Sequence, residues 1–284
     1  MERASGFINL NKPAGKSSAA AVALVKRLTH LPCGHMGTLD PLASGVLPVA
    51  VGNASRLFNY LLQKQKVYRA VFRFGEETDT LDRTGALLRD GLSVPSPEQI
   101  EEVLPLFVGD IDQIPPAYSA KSVGGVRAYR LARQGNSVSL PPKRVRIDSV
   151  QLAGRISESE YEFVIACGGG TYIRSLGRDI AARCGTCAVM TSLVREKSGY
   201  FLLEESVRPE ELSEGNWREK LISPDVVFEM PALSFCGEEA KRLRFGQHLP
   251  FGGEGGEYKL YLDGELYGIA LAEGGSVRAK VKLV

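Results

Sequence analysis

Two pairs of adjacent prolines, Pro115-Pro116 and Pro141-Pro142, constrain this chain more than any other feature. Proline fixes φ and carries no N–H, so neither pair can continue a helix or a central strand. The segment between them, about 114–143, is therefore predicted to be a self-contained excursion from a sheet, partly helical near Ala128 to Arg133. Charge sets it apart as well. From Ile114 to Arg146 there are seven bases (Lys121, Arg127, Arg130, Arg133, Lys143, Arg144 and Arg146) and no acid, whereas Glu98 to Asp112 holds five acids and no base. The net charge of +2 averages over this segregation and says little about partners.

On either side of the excursion the sequence alternates between strand and helix patterns. Gly6 to Asn11 reads as a strand, followed by a turn and a helix capped by Ser17 or Ser18, with Val22, Val25 and Leu28 as its buried stripe. A Gly- and Pro-rich loop is predicted from Leu31 to Gly45, then a buried strand from Val46 to Val51. Val67 to Phe74 alternates, placing Tyr68, Ala70, Phe72 and Phe74 on one inward face and Arg69 and Arg73 on the other. Ser96-Pro97 opens a short helix to Leu106; Arg144 to Leu152 and Tyr161 to Ala166 read as strands. Gly168-Gly169-Gly170-Thr171 turns into a helix from Tyr172 to Arg183, with Ile173, Leu176 and Ile180 at helical spacing. The pattern lapses into a linker at Leu221 to Pro231. Short strands at Lys259 to Leu262, Leu266 to Ala272 and Ser276 to Leu283 then make a small β-rich domain.

A chain of 284 residues, 44% of them apolar, can bury one large core or a large and a small one. Its apolar runs, such as that around Val46 to Val51, are far short of a membrane span, and Met1 to Gly6 has no apolar signal region, so a cytoplasmic location is expected. Five cysteines, an odd number widely spread, speak against a disulfide framework. Cys184 and Cys187 follow a helical run rather than precede one, which favours buried thiols over a redox pair. His30, His35 and His248 lack metal-ligand spacing.

The stretch Gly34-His35-Met36-Gly37-Thr38-Leu39-Asp40-Pro41-Leu42-Ala43-Ser44-Gly45 is chemically the most informative. Its glycines allow tight or left-handed turns, and Pro41 restricts the backbone of Asp40, so the loop can present one carboxylate rigidly to a cleft. An isolated Asp-Pro would more simply be a turn. This one has company: Asn11-Lys12-Pro13 with Ser17-Ser18, Lys66-Val67-Tyr68-Arg69, Thr78-Asp79-Thr80-Leu81-Asp82, Tyr118-Ser119-Ala120-Lys121, and Gly170-Thr171-Tyr172-Ile173-Arg174-Ser175-Leu176. Together and in this order, these segments resemble the motifs of the TruB-type tRNA pseudouridine synthases over nearly all of Gly6 to Gly199.

The resemblance implies an α+β catalytic domain on a mixed, largely antiparallel sheet, residues 1–228, whose 114–143 insertion closes over the T-arm of tRNA. Residues 229–284 resemble a small β-rich PUA-like RNA-binding domain. It also implies conversion of uridine-55 to pseudouridine by a monomeric enzyme, with Asp40 as the essential carboxylate, Arg174 paired to it, and Tyr68 stacked on a flipped base. His35, Gly37, Lys12, Leu193 and Tyr172 would contact the substrate near the pocket, and Tyr118, Lys121, Arg127, Tyr129 and Arg133 in the insertion.

The residue types suit that reaction independently. Breaking the bond from base to ribose, turning the base and rejoining it through carbon involves no electron transfer, and a carboxylate acting as nucleophile or general acid/base suffices without metal or cofactor. A carboxylate in a closed site calls for a cation, and an arginine fork suits it. Flipping a base costs a few kcal/mol, against which aromatic stacking returns roughly 1–3 kcal/mol. Seven bases with interleaved Tyr118 and Tyr129 can engage phosphates and ribose, the plain alternative being a solvated face. Three competing readings are a guide-RNA-dependent catalytic subunit, a non-catalytic RNA-binding protein or tRNA chaperone, and a glycosidase. The last would need a second carboxylate partnering Asp40, and none is evident.

Overall fold

The computed structural model describes residues 4–118, 122–123, 126–127 and 140–283. The elements predicted between Ala128 and Arg133 lie outside the described residues. The first strand, β1 (Gly6–Lys12), leads through Pro13 to Ser17 into α1 (Ser18–Thr29), where Ser17 is the cap, accepting from the Ala20 N–H. The buried stripe of α1 differs from expectation: Ser18, Ala21, Val25 and Thr29 face inward, while Val22 and Leu28 are only partly buried. Small residues occupy the inner face because α1 packs closely on a loop that the side chain of Ser18 must reach.

The predicted loop from Leu31 to Gly45 contains an unexpected short strand, β2 (Cys33–His35), and β3 (Ser44–Val51) begins two residues early. A three-residue strand carries no readable period. After α2 (Phe58–Leu62) come β4 (Lys66–Phe74), the hairpin β5 (Glu77–Thr78) and β6 (Leu87–Arg89), and α3 (Pro97–Val103), whose Ser96 and Gln99 form a capping box. Next are β7 (Gly109–Gln113), the short pair β8 (Ser122–Val123) and β9 (Val126–Arg127), β10 (Lys143–Arg155), β11 (Glu160–Cys167), α4 (Ile173–Arg183), β12 (Ala188–Ser198) and β13 (Phe201–Leu202).

These strands assemble a nine-stranded sheet in the order β1-β3-β12-β4-β11-β10-β7, with β2 on β3 and β13 on β12. All its pairings are antiparallel except β3 with β12, which brings Ser44 and Gly45 beside Val194 and Arg195. The fold is the mixed, largely antiparallel α+β architecture that the sequence leads one to expect. Its central strand β12 is not predicted, because Thr191, Ser192, Arg195, Glu196 and Lys197 interrupt any apolar period even though most of the strand is buried.

A second, five-stranded sheet follows α5 (Pro224–Val227). Its order is β14-β16-β17-β18-β15, formed from β14 (Ala232–Phe235), β15 (Leu249–Pro250), β16 (Gly256–Leu262), β17 (Glu265–Glu273) and β18 (Ser276–Lys282), with α6 (Gly237–Arg244) between its first two strands. The segment read as a linker is not one: α5 falls inside it, and Val227 and Phe228 are buried in a cluster shared with Phe7 and Val46 of the large sheet, Ile269 of the small one and Leu283 just after its last strand. Phe7 and Phe228 meet edge to face at 6.4 Å.

Candidate active site

The Asp40 loop is fastened from three sides. The Ser18 hydroxyl donates to Leu39 O (2.8 Å) and accepts from Leu39 N–H (2.9 Å), and Gly15 N–H donates to Pro41 O (2.7 Å). Ala43 N–H closes a turn onto Asp40 O at 3.0 Å. At the end of the loop Gly45 adopts φ +100°, and a Cβ there would lie 2.3 Å from Arg195 O, so only glycine permits this approach of β3 to β12. Held in this way, the Asp40 side chain remains 36% exposed and faces a cavity of about 260 Å³.

Arg174 reaches the same cavity from the first turn of α4. It is buried, not the solvated arginine that a helix surface would offer, and both its terminal nitrogens are engaged. One terminal nitrogen lies 2.9 Å from Asp40 Oδ2 and donates to Tyr118 O (3.0 Å); the other lies 3.6 Å from Asp82 Oδ2 and donates to Thr80 O (2.7 Å). Asp82 is itself buried, and its Oδ1 accepts from the Thr80 hydroxyl (3.0 Å), Thr84 N–H (3.0 Å) and the Thr84 hydroxyl (2.5 Å). Leu81 adopts a left-handed φ of +60° to turn Asp82 inward. One guanidinium thus bridges two carboxylates, and contacts from both terminal nitrogens hold its plane in place.

The cavity is walled by Tyr68, Leu193 and Leu62, and by Gly170 to Arg174 at the start of α4. Of the thirteen residues named from sequence as site candidates, it gathers Asp40, Tyr68, Tyr172, Arg174 and Leu193. Burial pushes the Tyr68 phenol above its usual range, with the neighbouring Arg195 pulling the other way. Tyr172 is anchored by Gln113, which accepts from its N–H (2.8 Å) and donates to its carbonyl (3.1 Å).

The other described candidates, Lys12, His35, Gly37 and Tyr118, stand apart from the cavity wall. Lys12 is fully buried, donating to Pro13 O (2.8 Å) and Lys16 O (2.6 Å); burial is the main cause of its pKa falling to about 8, with Asp40 opposing. Gly37 takes φ +134° within the loop. His35 is half-buried on β2, its Nδ1 buried without a partner, and burial and Arg195 both hold its pKa down. Tyr118 donates from its hydroxyl to Asp79 Oδ2 (3.0 Å). Lys121, Tyr129 and Arg133, and the side chain of Arg127, lie outside the described residues.

Sequence reasoning assigned no site role to Asp82, Lys66 or Arg195. Asp82 and Lys66 sit within quoted motifs and Arg195 lies two residues beyond Leu193, but neither spacing nor composition signals that a charged side chain turns inward. Among the described residues, no group of three or more His, Cys, Asp or Glu is placed to hold a metal ion. Chemically, the arrangement offers one carboxylate oriented by a buried cation, facing an aromatic ring and an apolar wall across a pocket of nucleobase scale. Such a set can supply a nucleophile or move a proton without a second carboxylate at the cavity.

Residues 26–173 match the N-terminal domain of the TruB family pseudouridylate synthases. The chain belongs to this family. It is 43% identical over 255 residues to the tRNA pseudouridine synthase B of Acaryochloris marina, with 86% of each chain covered. To the enzyme of that name from Caldanaerobacter subterraneus it is 35% identical over 283 residues, covering 97% of this chain and 98% of the relative. The fold is also similar to that of an H/ACA RNP bound to a substrate RNA containing 2′-deoxyuridine. Its TM-score is 0.72 at 24% identity, covering 98% of this chain and 85% of the other.

Proposed function

We propose that the protein converts uridine-55 in the T-loop of tRNA to pseudouridine, with Asp40 as the essential carboxylate. The observation that carries this reading is the 2.9 Å contact of Arg174 with Asp40 at the mouth of a cavity walled by Tyr68 and Leu193. In the proposed reaction the target nucleotide flips into the cavity and its base packs against Tyr68. Asp40 attacks or deprotonates the nucleoside, the bond between base and ribose breaks, the base turns, and the ribose rejoins it at C5. Arg174 keeps Asp40 oriented throughout and offsets its negative charge. The names borne by the relatives support tRNA as the substrate, and the matched family supports the isomerisation.

In the same reading, residues 1–228 form the catalytic domain, the basic insertion about 114–143 clasps the T-arm, and residues 229–284 act as a PUA-like RNA-binding domain in a cytoplasmic, monomeric enzyme. The test is base-by-base mapping of pseudouridine in an unmodified tRNA transcript incubated with the pure protein. One new pseudouridine at position 55 is expected with the wild type and none with Asp40→Ala, which should still bind tRNA. Undiminished product from Asp40→Ala would refute the reading.

A further inference from the structure

Behind the cavity lie three cations to which the proposed reaction gives no task. Lys12, Lys66 and Arg195 are each 3% exposed or less, and none forms an ion pair with a carboxylate among the described residues. Their hydrogens go to backbone carbonyls instead: Lys12 to Pro13 and Lys16, Lys66 to Leu61, Leu62 and Lys64, and Arg195 to Val46 and Gly37. Carbonyl dipoles solvate a buried cation without cancelling its charge. The pKa values of Lys12 and Lys66 both fall to about 8, burial first, with Arg195 adding to the effect on each.

Arg195 stands at the centre of this group. Its Nε donates to Val46 O (2.7 Å) and one terminal nitrogen to Gly37 O (3.1 Å), so it bridges the two ends of the Asp40 loop. Arg195 is also the cross-strand partner of Tyr68 on the cavity wall, and its charge opposes the effect of burial on that phenol. On the far side of the pocket the charges are differently arranged, since Asp40 and Asp82 share the single cation Arg174. Surplus positive charge therefore lies behind Tyr68.

The proposed isomerisation creates negative charge at a defined stage. When the N1–C1′ bond breaks heterolytically, its electron pair leaves with the base and C1′ becomes electron-deficient. The base then turns, C5 bonds to C1′, the C5 proton is lost and N1 takes one up, so atoms and electrons balance. Fixed cations aimed at charge that appears only during reaction are an effective form of catalysis. Resting on the proposed reaction, we infer that Arg195 is a positioning residue that braces the Asp40 loop and sets its uncompensated charge behind Tyr68 to stabilise the pyrimidine as it departs from ribose.

The experiment compares Arg195→Gln and Arg195→Lys with wild type on two T-arm stem-loops, one with uridine and one with 5-fluorouridine at the target. Fluorine withdraws electrons and stabilises the departing base without help from the protein. Single-turnover loss of the N-linked nucleoside is followed by nuclease digestion and chromatography, alongside RNA affinity and thermal melting. Arg195→Gln should slow the uridine substrate about 10²- to 10³-fold, with affinity within about threefold, and Arg195→Lys should regain at least about tenfold because it restores the charge. On 5-fluorouridine the penalty of Arg195→Gln should be at least about tenfold smaller.

Equal penalties on the two substrates would reduce Arg195 to a brace and overturn the inference. Should Arg195→Gln not fold, the same substrates are run with Lys66→Met, which removes a charge of the cluster but no bond to the Asp40 loop, and equal penalties there overturn it too. A wild type that leaves uridine unchanged would sink the proposed reaction itself, so the two failures are distinguishable.

Discussion

Arg174 lies 2.9 Å from Asp40 while showing 5% of its surface to solvent. A pair in which the cation is buried and the anion is open toward a cavity is asymmetric: the protein holds the arginine, and the arginine holds the carboxylate. Replacement by lysine keeps the charge but not the fork, which here serves Asp40, Asp82, Thr80 O and Tyr118 O at once. Arg174→Lys is expected to lower single-turnover pseudouridine formation by about 10²- to 10³-fold, corresponding to roughly 3–4 kcal/mol of lost orientation and pairing. tRNA affinity should change by less than about threefold. Loss of binding in step with rate would mean that Arg174 serves the RNA and not Asp40.

Asp82 gives a milder version of the same experiment. Asp82→Asn preserves shape and the acceptor for Thr84 but removes the second negative charge facing Arg174, so turnover should fall by about 10- to 100-fold, or roughly 1.4–2.7 kcal/mol. Filter binding of the same variant should be unaltered.

Gly45 tests the backbone that carries the site. Alanine would meet Arg195 O at 2.3 Å and would have to adopt φ +100°, so the parallel contact of β3 with β12 must open. Gly45→Ala should cost about 3 kcal/mol or more of stability, measurable by urea denaturation. A neutral result would show that the two strands can separate freely.

The pKa of Lys66 predicts a pH dependence whose sign can be worked out. In the folded protein the ammonium loses its proton near pH 8, against 10.5 as the ordinary lysine value. Between those values the unfolded chain binds more protons, so this residue makes the folded state more favourable as pH rises, and its burial penalty is fully present below pH 8. The stability difference between wild type and Lys66→Met should therefore shift toward wild type by up to ~3 kcal/mol from pH 8 to 10.5. A difference flat across that window would mean that Lys66 is not desolvated.

Salt should act mainly on encounter with RNA. If the basic insertion contacts phosphates, tRNA affinity falls by about 0.7–0.9 log units per decade of salt for each contact. Removing one base by Arg127→Ala should reduce that slope by about one such step. A salt response that stays flat would remove the clasping role.

Much of the framework can be read from the residues because it obeys simple periods. The alternation of β4, the Ser17 cap, the Ser96-Pro97 start and the helical spacing of Ile173, Leu176 and Ile180 all appear in the structure with small shifts at their ends. What escapes are the elements whose polar side chains turn inward. β12 reads as a charged segment because Arg195 is buried at its centre, and Asp82 gives no hint of its burial because the turn at Leu81 decides its direction. The segment before the small sheet looks like a linker because its helix spans only Pro224–Val227, too short for a period to show. A resemblance in motifs could bring Asp40 and Arg174 together, but no spacing could predict the second carboxylate on the far side of the guanidinium.

The apolar cluster joining Phe7, Val46 and Phe228 to Ile269 and Leu283 has a practical consequence for anyone dissecting this protein. The last fifty-odd residues plug the underside of the strands that carry the Asp40 loop, so a chain cut after residue 228 would leave a greasy socket open to water. Truncation would be a poor way to ask whether the terminal lobe serves RNA binding, because it would strip the catalytic core of part of its own packing.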